Sequence, residues 1–90
     1  MADKIKIKTY YEAVVFFETS EDYDEQQTAR ALNIHVRSAT PDSADYTFQP
    51  GSPASSPYCT VSGPSKPDVL KLTRKIMNVL KSLGSYNITT

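Results

Sequence analysis

Tryptophan is absent from this chain, histidine and cysteine occur once each, and only three glycines are spread over its 90 residues. Each scarcity removes a class of function. A lone Cys59 has no partner for an internal disulfide, so no covalent staple is available and a reducing compartment is expected. His35 is the sole histidine, and nowhere do three ligands of the usual metal-binding types recur at a recognisable spacing. Asp22-Tyr23-Asp24 imitates the opening of a calcium loop, but Gln27 stands where that loop needs Gly and Asn33 where it needs the closing Glu. Gly51, Gly63 and Gly84 stand apart from one another, which excludes a glycine-rich phosphate cradle. No cofactor is implied.

Charge of one sign is also missing. Ten basic and ten acidic residues cancel, so the chain does not coat nucleic acid by bulk charge and lacks the self-repulsion that keeps many small proteins apart. No apolar run approaches the roughly 20 residues of a membrane span. The opening MADKIKIK has no apolar core of a secretory signal. The expected location is the cytoplasm, that of the host cell if the source is viral, with no membrane partner.

What the chain does have is alternation. Lys4 to Glu18 reads KIKIKTYYEAVVFFE. Its odd positions from Ile5 to Phe17 suit a core, and Lys4, Lys6 and Lys8 fall on the other parity, which is the strand signature. A continuous strand of that length would reach roughly 50 Å. It would outrun the body of a single small domain, which predicts a homodimer with residues 8–18, or the apolar flank of the C-terminal helix, at the seam. After the acidic stretch around residues 18–27, Leu32, Ile34 and Val36 alternate with Asn33, His35 and Arg37. This predicts a second strand over about residues 30–38, paired with the first as a long hairpin. A helix capped by Ser20 is the rival, opposed by its weak apolar stripe.

Residues 40–57 are rich in Pro and Ser and are expected to form a flexible loop, with a possible short strand at Asp45 to Gln49. Tyr58 to Ser62 alternates again. The clearest element follows: a helix over 66–83, with Ser65 as its cap, Asp68 reaching back and Gly84 as its stop. At about 100° per residue its apolar positions cover half the cylinder, enough for a sheet, or a sheet plus a second helix, beneath it. The expected fold is one α+β domain spanning residues 1–90. It has a small antiparallel sheet of three or four strands in the order β-β-(β)-β-α, covered on one face by the C-terminal amphipathic helix.

Function is expected to lie in surface contact. His35 reads as an exposed strand residue and Cys59 as a small buried hydrophobe. Six tyrosines supply contact area at low entropic cost. The expected protein interface comprises Tyr10, Tyr11, Phe16, Glu21, Asp22, Tyr23, Asp24 and Glu25. The role is a non-enzymatic inhibitor, adaptor or assembly factor, of a kind frequent in phages and mobile elements. One alternative is a nucleic-acid binder using Lys4, Lys6, Lys8, Lys71, Arg74, Lys75 and Lys81. Another is a small-ligand or enzyme site built across a dimer interface.

Overall fold

Strand β1 spans Tyr11–Glu18, and its alternation sorts the side chains as expected. Val15 and Phe17 are buried, whereas Phe16 between them is exposed. The structure, a computed structural model, describes residues 10–39 and 44–90. The Lys-rich start of the expected ribbon, Lys4, Lys6 and Lys8 included, lies outside the described residues.

The segment after β1 departs from the expected hairpin. Residues Glu25–His35 form helix α1, not a second strand. Its start is a capping box. Asp24 Oδ1 accepts from the Gln27 amide at 2.8 Å, and Gln27 Oε1 accepts from the Asp24 amide at 3.0 Å. Ser20, the cap of the rival reading, has another task. Its hydroxyl donates to the Leu83 carbonyl at 2.9 Å and fastens the β1–α1 connection to the far end of the second helix. A strand would bury Leu32, Ile34 and Val36 alike. The helix buries Thr28, Leu32 and Val36, one turn apart, and leaves Ile34 68% exposed. The apolar stripe is narrow because α1 needs only one edge of its cylinder against the core. His35 lies exposed in its last turn rather than on a strand.

A short 3-10 turn at Arg37–Ala39 follows. The expected loop then contains strand β2, Asp45–Gln49, which is joined to β3, Tyr58–Gly63. The Pro/Ser connection between them includes a tight turn, in which Ser52 and Ser55 exchange both backbone hydrogen bonds. Pro53 occupies the second turn position, for which its fixed φ is suited. Gly51 is required there, because a Cβ would sit 2.8 Å from the backbone oxygen of Ser55.

Helix α2, Lys66–Ser82, buries Val69, Leu72, Thr73, Ile76, Val79 and Leu80. Ser65 holds the N-cap position but makes no side-chain capping bond. The other end is closed as expected: Gly84 has φ 82°, its amide donates to Lys81 O at 3.0 Å, and the Ser85 amide donates to Leu80 O at 3.0 Å. The tail then forms strand β4, Tyr86–Thr89.

The four strands make one antiparallel sheet in the order β2-β3-β1-β4. With the helices included, the element order is β-α-β-β-α-β, the split β-α-β arrangement. Both helices serve the same core, which joins Val15, Phe17, Cys59 and Val61 of the sheet to Leu32 and Val36 near α1 and to Leu72, Ile76 and Leu80 of α2. The sheet is therefore covered on one face and open on the other.

Leu32→Ala is expected to cost about 2–5 kcal/mol in urea denaturation, whereas Ile34→Ala stays within about 0.5 kcal/mol. Comparable losses at both positions would restore the strand reading of this segment.

Candidate binding face of the sheet

Pleating gives the open face its composition. Residues paired across strands share a face, and Phe16 pairs with Tyr58 of β3 and Thr89 of β4, while Glu18 pairs with Tyr86. Gln49 completes the row beside Tyr58, and Thr47, Thr60 and Val14 form the next one. The aromatic centre is tight: the Phe16 and Tyr58 rings lie 5.4 Å apart and tilted by 44°, a geometry favoured by ring quadrupoles. Phe16 is 44% exposed and Tyr86 56% exposed. An irregularity in β4 turns Tyr86 to this face. Between Glu18↔Tyr86 and Phe16↔Thr89, β4 carries one more residue than β1, and Asn87 absorbs it with φ 53°. Ile88 thereby packs on the core while Tyr86 does not.

The rim of this face is acidic, with Glu12, Glu18 and Asp45. The four strands hold no Lys or Arg among the described residues. Asp45 is partly neutralised: Arg37 Nη1 donates to its Oδ1 at 3.3 Å, and the guanidinium lies 4.8 Å over the Tyr46 ring. Burial pushes the Tyr46 phenol above its ordinary range, and Arg37 partly offsets that rise. Lys71, Arg74, Lys75 and Lys81 are exposed on α2, on the far side of the sheet. The helical layer thus separates these four cations from Phe16, Tyr58 and Tyr86.

The structure divides the expected protein interface. Phe16 lies on the open face. Tyr10 and Tyr11 are exposed at one end of β1, and Glu21, Asp22 and Tyr23 are exposed beyond the other, roughly 25 Å away along the strand. Asp24 serves as the α1 cap, and Glu25 Oε1 accepts from the Gly51 amide at 3.2 Å. Tyr58 and Tyr86 were not expected at a site. Tyr58 was legible from its parity against Cys59, but Tyr86 depends on the bulge.

A depression of about 360 Å³ lies between the end of β1, the start of α1 and the loop 52–57. Its carboxylates are both engaged, Glu18 by the Ser56 hydroxyl and Glu25 by Gly51. These bonds anchor the loop to β1 and α1. Among the described residues no cluster of His, Cys, Asp and Glu has the makings of a metal site, and no helix is long and apolar enough to cross a membrane.

Cys59 is fully buried beneath β3, and burial pushes its thiol up from 9.0 to about 12. The folded thiol should resist alkylation at neutral pH and react once the chain is unfolded. Between pH 9 and about 12 the unfolded chain gives up this proton while the folded chain keeps it. Folding stability therefore falls with rising pH in that window, and denaturation of Cys59→Ala should lack this part of the slope. Comparison of the chain with protein families, with curated proteins and with solved structures finds no match.

Proposed function

We propose that this is a non-enzymatic protein of the inhibitor, adaptor or assembly-factor type, and that it recognises another protein through the open face of its sheet. One observation carries the reading: Phe16, Tyr58 and Tyr86 share an uncovered face whose rim is acidic and whose strands carry no cation among the described residues. Exposed aromatics with a half-buried neighbour are the usual anchors of protein contacts. The carboxylates of Glu12 and Glu18 select a partner with an apolar centre edged by Lys or Arg.

The same aromatics would suit stacking of single-stranded bases, but that mode combines its platform with a positive groove for the backbone. Lys71, Arg74, Lys75 and Lys81 lie on the opposite side, and the carboxylates of Glu12 and Glu18 at the rim repel phosphate. Protein contact is the better fit.

The test begins with a partner captured from the native host and purified. Phe16→Ala and Tyr86→Ala should each weaken its binding about tenfold or more and leave the circular dichroism unchanged, because both side chains are exposed. The reading is lost if neither change matters. It is equally lost if Lys71→Ala, Arg74→Ala and Lys75→Ala together abolish a steeply salt-dependent association with nucleic acid.

A further inference from the structure

Zero net charge conceals a polarity. The open face of the sheet has Glu12 and Glu18 at its rim and, among the described residues, no cation on its strands. The outer side of α2 carries Lys66, Lys71, Arg74, Lys75 and Lys81, all exposed, and the helix contains one acid, Asp68. An apolar side chain stands among these cations: Leu70 is 42% exposed, although Val69 and Leu72 beside it are buried. At about 100° per residue, Lys66, Leu70, Arg74 and Lys81 fall within an arc of about 80°, and Asp68 lies outside it. Helix α2 therefore displays a stripe with an apolar residue edged by cations. The sheet displays the reverse, Phe16, Tyr58 and Tyr86 edged by carboxylates.

We infer that the open sheet face of one copy of this chain docks on the α2 stripe of a second copy, head to tail. The contact rests on the open face being a protein-contact surface, as proposed above, and supplies its partner. Charge decides among the three ways in which two copies can meet through these faces. Sheet against sheet sets Glu12 and Glu18 opposite carboxylates, and helix against helix sets cations opposite cations; like charges oppose both. Sheet against helix pairs opposite signs. The spacing agrees. Along β1, Phe16 lies about 7 Å from Glu18 and about 13 Å from Glu12. Along α2, Leu70 lies about 6 Å in axial rise from Lys66 and about 16 Å from Lys81. With Leu70 seated on the Phe16–Tyr58 pair and α2 antiparallel to the β1 beneath it, Lys66 comes to Glu18 and Lys81 to Glu12. The contact is heterologous, so every copy added leaves one sheet face and one helix stripe free.

Light scattering on the full chain should give the 10.0 kDa chain mass when dilute and should climb past twice that mass toward millimolar concentration. Added salt should lower the climb, because exposed charges are screened. Two double variants separate the faces. Phe16→Ala with Tyr86→Ala disables the sheet, and Leu70→Ala with Arg74→Ala disables the stripe. All four side chains are exposed, so circular dichroism should not change. Each variant alone should stay monomeric. Their equimolar mixture should reach twice the chain mass and stop there, because one copy brings a working helix and the other a working sheet. A monomeric unmodified chain at millimolar concentration overturns the inference. So does a stripe variant that still associates by itself, which is the mark of sheet-on-sheet contact, or a mixture that stays monomeric. Where the chain does not self-associate but Phe16→Ala still weakens the captured partner, this inference alone falls. Where Phe16→Ala and Tyr86→Ala alter neither association, the open-face reading falls with it.

Discussion

The pleat of β1 is the constraint on which the molecule rests. One backbone must serve two surfaces, and successive side chains are sent to opposite sides of it. Val15 and Phe17 enter the core against α2, and Phe16 is thereby committed to the outside. A slip of one residue would exchange Val15 and Phe17 for Val14 and Phe16, but it would also carry Glu12 and Glu18 onto the core face, and burying those two carboxylates without partners is the cost that fixes the register. The position of the exposed aromatic therefore follows from packing on the hidden side. Tyr58 obeys the same rule, because Cys59 and Val61 hold its strand in register from below.

Other contacts keep that frame rigid at the end where β1 hands over to α1. Ser20 ties the connection to the last turn of α2, and the left-handed φ of 82° at position 84 suits glycine, where a Cβ would in addition lie 3.2 Å from that of Ser20. Glu25 and Glu18 hold the Pro/Ser loop through Gly51 and Ser56. The acidic residues at this end are therefore partly structural. Glu21 and Asp22 are exposed there, beside the cap that Asp24 supplies to α1.

Much of this architecture was legible from residue order. The parity of β1, the burial of Cys59, the span of α2 and its glycine stop all follow from rules that act over a few residues. The α1 segment was misread because Leu32, Ile34 and Val36 satisfy a period of two, while the burial that decides the matter belongs to Thr28, Leu32 and Val36. The capping pair Asp24 and Gln27 was present as the competing signal, but Ser20 drew the cap to the wrong position. The open face was only half legible. Phe16 could be found from alternation, but its neighbours come from strands far away in sequence, and Tyr86 reaches it by way of a bulge that local pattern does not announce. Nor does composition reveal that the lysines of α2 and the aromatics of β1 end on opposite sides of the sheet.

The left-handed Asn87 has a further bearing on how large any assembly of this chain grows. By kinking β4, it spoils the outermost border of the sheet on that flank as a template for another ribbon. A fibre needs a fresh sticky border after every addition. With β4 distorted in this way, growth strand upon strand finds no regular template on that flank of the sheet.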